Sequence, residues 1–144
     1  MADLKGQCLC GQVVVIGKGE LDYADACHCS MCRRQNAGGA FYAAHFSEGI
    51  DIKGDSFKWY SSSEIADRGF CTECGSTIAW QMKQRPEMVS LTLGLFDDVP
   101  ARIERRIFAD EGGDYGDIPT DVPHTTAAEA IAHFEASLRK ENNV

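Results

Sequence analysis

The sequence predicts a mainly β protein, an antiparallel sheet domain followed by a single C-terminal helix. Three observations predict it. Short runs rich in β-branched and aromatic residues recur between glycine and polar turn signals. Only one stretch, near the C-terminus, combines helical apolar spacing with a capping signal. All seven cysteines fall into three tight groups, CLC from Cys8, CHCSMC from Cys27 and CTEC from Cys71. The 144 residues suit a single domain, 1–144.

Taken in order, QVVVIG (12–17) reads as a strand, with GKGE as the turn after it. LDYADAC (21–27) leads into the second cysteine group. SMCRRQN then suits one helical turn. AFYAAHF (40–46) is a strand that sets Phe41, Ala43 and His45 on one face by its period of two. FKWYSS (57–62), IADRGF (65–70), STIAWQM (76–82), MVSLTLGLF (88–96) and ARIERRIFA (101–109) complete the strands. The helix, about 126–140, opens on Thr126-Ala-Ala-Glu129, a capping box. Ala127, Ala130, Ile131, Phe134 and Leu138 follow on one face, and Arg139 and Lys140 suit the C-terminal dipole. His133 falls off that face and reads as solvated. The acidic loop DEGGDYGD (110–117) lacks the Glu-terminated spacing of a calcium loop and reads as solvated too.

Composition narrows the function. Fourteen Lys and Arg against 22 Asp and Glu give a net charge of -8. That balance argues against nucleic acid as a partner, because such binding needs basic surface to displace counterions. No apolar run approaches the roughly 18 residues of a membrane span, and MADLKGQCLCG has neither the basic start nor the apolar core of a signal peptide. The expectation is a cytoplasmic protein. Nothing in the sequence sets the number of subunits.

An odd number of cysteines without a secretory leader disfavours a disulfide framework. A redox reading of Cys71 and Cys74 wants a helix starting at the first thiol, but STIAWQM is a strand. Gly75 instead permits a tight knuckle whose amides point back at the sulfurs. Metal binding remains, and seven divides usefully. Cys8, Cys10, Cys71 and Cys74 make one closed four-thiolate site, as structural zinc requires. Cys27, Cys29 and Cys32 remain as a three-ligand site with an open fourth position, the signature of a catalytic zinc. His28 sits between two ligands and would strain the chain if it shared their metal. His45 or His124 could close the site from a distance, and thiolates also suit an iron–sulfur cluster. Phe70, not proline, precedes Cys71, so the zinc deaminase signature is absent.

The segments CLCG (8–11), CHCSMCRR (27–34), RGFCTECGS (68–76) and SLTLG (90–94) together resemble the glutathione-dependent formaldehyde-activating enzyme and centromere protein V superfamily, in its short, general branch. RRIFADEGGDYGDIPTDVP (105–123) resembles that family's later aromatic-bearing loop. The likeness spans about residues 5–123 and leaves the helix outside. It implies a β-tent fold with two Zn2+ per chain, partitioned as above. It also implies the joining of glutathione and formaldehyde into S-hydroxymethylglutathione, a carbon–sulfur lyase reaction in reverse.

Thiolate ligands suit a soft incoming sulfur better than they suit water activation. The expected function is therefore a zinc-dependent carbon–sulfur lyase acting on glutathione or its adduct, with the thiol as fourth ligand of Cys27, Cys29 and Cys32. The alternative is a non-catalytic thiol carrier. A structural role, as in the centromere protein V branch, would want a basic extension that this sequence does not show. Arg33 and Arg34 are the first candidates for glutathione's carboxylates, since guanidinium binds carboxylate as a fork. Lys53 and Arg68 are alternatives. Tyr115 matches the family's aromatic loop position as a candidate pocket residue, and His45 is a candidate base.

Overall fold

The computed structural model describes residues 2–142. Ten strands form two sheets. The smaller contains β1 (Leu4–Gln7), β2 (Val14–Gly17) and β5 (Ile50–Lys53) in the order β1-β2-β5. The larger contains β3 (Leu21–Cys27), β4 (Phe41–Phe46), β6 (Phe57–Ser61), β7 (Ala66–Cys71), β8 (Thr77–Met82), β9 (Arg85–Thr92) and β10 (Ile103–Ile107). Its order is β10-β3-β4-β9-β8-β7-β6. Every pairing is antiparallel except β10 with β3, which is parallel. Helix α1 (Ser30–Gln35) follows the second cysteine group and α2 (Ala127–Glu141) ends the described chain.

The register divides the large sheet into two chemically different faces. Ala24 pairs with Ala44, Ala44 with Leu91, Leu91 with Ala79 and Ala79 with Gly69. Apart from Leu91 this row is small, and Ala79 and Leu91 pack in the core shared with the small sheet. Val13, Val15, Ile78 and Leu91 are fully buried between the sheets, with Cys8 and Cys71 among them. A Cβ on Gly69 would lie 2.5 Å from the Phe57 ring, so glycine is required where Phe57 and Trp59 cross this face. Burying a Val- or Leu-sized side chain contributes roughly 1.5–3 kcal/mol each, and this apolar layer is what holds the sheets together.

On the opposite face Asp25 pairs with Ala43, Cys27 with Phe41, and Arg68 with Trp80. That face carries the chemistry.

Two strands lie outside the sequence expectation. LKGQ and IDIK are only four residues each, and both form in the small sheet through their register with β2. The Leu93–Leu95 segment leaves the strand for a short 3-10 turn. Helix α2 starts where the capping box places it, with Thr126 Oγ1 accepting from Glu129 N–H at 3.2 Å. Its apolar face lies largely in the open: Ile131, Phe134 and Leu138 are all exposed. Among the described residues no helix is long and apolar enough to cross a membrane.

Candidate metal centres and the cavity beside them

Four thiols meet at the border of the layer between the sheets, with Cys8 and Cys71 buried in it and Cys10 exposed. Cys8 and Cys10 come from the loop between β1 and β2, and Cys71 and Cys74 from the turn joining β7 to β8. Each pair ends in a glycine with positive φ, Gly11 at 79° and Gly75 at 77°. The Gly11 N–H donates to Cys8 O at 3.0 Å and the Gly75 N–H to Cys71 O at 2.8 Å. Only glycine takes this conformation without steric cost, so both loops fold back into knuckles that present sulfur inward. Val13 N–H donates to Cys8 Sγ at 3.3 Å. The four sulfurs all lie within 4.8 Å of one another.

Two of the separations are informative, Cys8–Cys10 at 3.6 Å and Cys10–Cys71 at 3.8 Å. Tetrahedral zinc with bonds of ~2.3 Å sets its sulfurs ~3.8 Å apart. The site fits a closed metal centre. Hydrogen bonds from the Ser76 hydroxyl, 3.2 Å away, and from the Ser76 backbone hold the Cys74 thiol down at about 5, a group ready to ligate as thiolate.

The second group is built differently. Cys27 ends β3, Cys29 caps α1 and Cys32 lies inside α1. The Cys29 sulfur accepts from Cys32 N–H at 3.4 Å, which is why the helix starts there. The three sulfurs again lie within 4.8 Å. Neither His28, His45 nor His124 joins them among the described residues. His28 turns away: its Nε2 accepts from Arg106 Nε at 3.1 Å.

The residue that completes this centre comes from β7. Arg68 is 5% exposed, and its Nη1 donates to Cys32 Sγ at 3.3 Å and to Gln35 Oε1 at 3.1 Å. A buried guanidinium is tolerated only when paired. Here it faces the sulfurs: a divalent ion held by three thiolates would leave one negative charge, which Arg68 would offset. The Cys32 thiol is brought down to about 5 by its hydrogen bond with Cys27 and then, against the effect of burial, by the hydrogen bond and charge of Arg68. The same coupling pushes the Cys27 thiol up.

A cavity of about 700 Å³ opens beside the three thiols. Phe41, Ala43 and His45 line it, as strand alternation predicts. Its polar end is a chain of contacts. Ser90 Oγ lies 3.3 Å from His45 Nδ1, and His45 Nε2 lies 3.2 Å from Asp25 Oδ1. Arg105 grips Asp25 Oδ2 through Nε at 3.3 Å and Nη2 at 3.2 Å. Tyr23 stacks on His45 with centroids 4.0 Å apart.

Arg33, Arg34 and Tyr115 do not line this cavity. Tyr115 lies against Gly38, whose N–H donates to Arg33 O, so these residues gather at the C-terminal end of α1. Lys53 sits on β5 in the other sheet. Asp25, Ser90 and Arg105 were not nominated by the sequence. One signal for Asp25 existed: it stands two residues before Cys27 and so shares its face.

The fold and the two thiol groups, each able to hold a metal ion and the second opening on a cavity, define a β protein with two candidate metal centres. Residues 3–111 match the family described as "Glutathione-dependent formaldehyde-activating enzyme", and the chain belongs to that family. A crystal structure of a Rhodobacter sphaeroides protein is similar in fold, with TM-score 0.54 and 24% identity over 72% of this chain and 99% of that one. No curated protein matches the chain.

Proposed function

We propose that the protein is a cytoplasmic, single-domain, two-zinc enzyme of the carbon–sulfur lyase type that makes or breaks the bond between a small thiol, glutathione by family, and the carbonyl carbon of an aldehyde. The observation that carries this is the three-thiol centre at the cavity wall, neutralised by buried Arg68. Cys8, Cys10, Cys71 and Cys74 hold the structural ion, and Cys27, Cys29 and Cys32 the working one. Cys27, Cys29 and Cys32 would hold a zinc whose open fourth position would favour the thiolate form of an incoming thiol.

The protein's own groups do the rest. Arg68 holds Cys32 and Cys29 in place, with Nη1 at 3.3 Å from Cys32 Sγ and Nη2 at 3.9 Å from Cys29 Sγ. In the forward direction the thiol's S–H bond breaks, the S–C bond forms, and the carbonyl oxygen gains the proton. Ser90 Oγ passes that proton to His45 Nδ1 and returns it to the oxygen, while Asp25 holds the N–H at Nε2. The carboxylates of glutathione turn outward to Arg33 and Arg34 on α1, with Tyr115 beside them.

The test is exchange NMR on glutathione plus formaldehyde with the zinc-loaded protein, and Cys32→Ser as control. Acceleration lost in the control supports the reading. Glutathione line broadening without acceleration makes the protein a thiol carrier, and absence of both removes glutathione.

A further inference from the structure

The cavity does not look like a site for a one-carbon aldehyde or for an anion. Its volume of about 700 Å³ is of the size that buries a drug-sized molecule. Phe41 and Trp80 form its wall near the thiols, with Met82 beside them, and Ile65 and Met88 form an exposed apolar collar at its mouth. Methionine here gives an adaptable surface for irregular apolar groups. Phe108 joins the lining with φ at 51°, a left-handed conformation that a bulky residue adopts only under strain.

The charges point the same way. Asp22, Asp25, Glu87 and Glu111 all border the cavity. Its two arginines are already engaged, Arg68 with Cys32 and Gln35, Arg105 with Asp25. Among the described residues Asp22, Glu87 and Glu111 have no ion-pair partner. A carboxylate entering this space meets like charge and no free cation.

We propose that the cavity selects an uncharged, apolar carbon group, so that the electrophile is an aldehyde bearing an aromatic or aliphatic substituent. This rests on the reading of the three-thiol centre as the place where a thiol joins a carbonyl. The step is balanced as before: the S–H and C=O π bonds break, the S–C and O–H bonds form, and no oxidant or reductant takes part. Phe41 and Trp80 receive the substituent, and the Met88 collar excludes water behind it.

The experiment compares kcat/KM, relative to the uncatalysed rate, for glutathione with formaldehyde, propanal, hexanal, benzaldehyde and 4-carboxybenzaldehyde. The expected gain is about fourfold per added methylene. Benzaldehyde should exceed its carboxylated analogue by at least about tenfold, and Met88→Glu at the exposed collar should reduce the gain per methylene while widening the discrimination against the carboxylate. A second readout does not depend on turnover. The chain has two tryptophans, so Trp59→Phe leaves Trp80 as reporter, and benzyl alcohol should shift its fluorescence saturably. Acceleration that is flat across the series, or greatest for formaldehyde, overturns the proposal and leaves the thiol–aldehyde reading standing. No acceleration with any aldehyde, but saturable benzyl alcohol binding weakened by Met88→Glu, upholds the apolar site and sinks the thiol–aldehyde reading. Neither acceleration nor fluorescence response overturns both.

Discussion

The Arg68 guanidinium donates to Cys32 Sγ at 3.3 Å across 36 residues of chain, joining β7 to the helix that carries the third thiol. Removing it leaves the thiolates without their counter-charge. Arg68→Met should weaken zinc binding at Cys27, Cys29 and Cys32 by about 10–100-fold, the usual cost of losing a group that orients metal ligands. Binding at Cys8, Cys10, Cys71 and Cys74 should not change. Competition with a chromogenic chelator would show one of two zincs leaving early.

The same contact predicts a pH dependence in metal-free protein. Cys32 stands at about 5 against an ordinary 9.0. Between those values the unfolded chain binds more protons than the native state, so stability rises with pH. The contribution is fully present above about 9 and is lost as pH falls through about 5. Thiolate absorbance in the ultraviolet should therefore show an acidic step that Arg68→Gln moves upward. Cys74, also near 5 but held by Ser76, should keep its own step in that variant and serves as an internal control.

Cys74→Ser and Cys32→Ser should separate the two centres. The first opens a site at the border of the layer between the sheets, and its loss costs folding free energy. Thermal melts should fall by more than about 10 °C, a loss of several kcal/mol for a domain of this size. Cys32→Ser should melt within a few degrees of the parent yet lose one zinc. A reversed order would overturn the assignment of structural and working sites.

His45→Ala should slow thiol–aldehyde adduct formation by about 10²-fold, the lower range for a positioned proton-transfer group. Both zincs should remain bound. Added imidazole should restore part of the rate, which a purely structural histidine would not allow. Asp25→Asn should slow the reaction as well, because Asp25 orients His45 Nε2.

A chain ending at His124 should keep its fold and both zincs. Helix α2 turns no apolar side chain into the core, since Ile131, Phe134 and Leu138 are exposed. Circular dichroism should lose helical signal while the melting temperature holds.

What the sequence discloses follows from the range over which each feature acts. The partition of the cysteines is local, a matter of spacing and a following glycine, and the same groups converge in space. The face shared by Phe41, Ala43 and His45 is equally local, set by strand alternation. Arg68 is not local. Proximity along the chain favours Arg33 and Arg34, yet a guanidinium from β7 reaches the sulfurs because Arg68 and Trp80 share a register on the cavity face. The parallel placement of β10 on β3 is likewise a matter of topology, and it brings Arg105 beside Asp25. Strands β1 and β5 are four residues each, too short a run to stand out in the sequence, and pairing with β2 defines them.

The four-thiol centre joins sulfurs 61 residues apart, as Cys10 and Cys71 show. Closing so long a loop is slow and entropically costly compared with forming a hairpin. During synthesis Cys8 and Cys10 leave the ribosome first and wait, uncoordinated, until Cys74 has followed them. Over that interval they are exposed to oxidation, and a premature bond between them would leave the β7–β8 knuckle with two thiols and no partners. With zinc at the four thiols, as proposed, the supply of metal at the moment the second pair emerges would act as a checkpoint on biogenesis. A cell short of zinc, or under oxidant stress, would lose this protein as it is made, before the mature form was harmed.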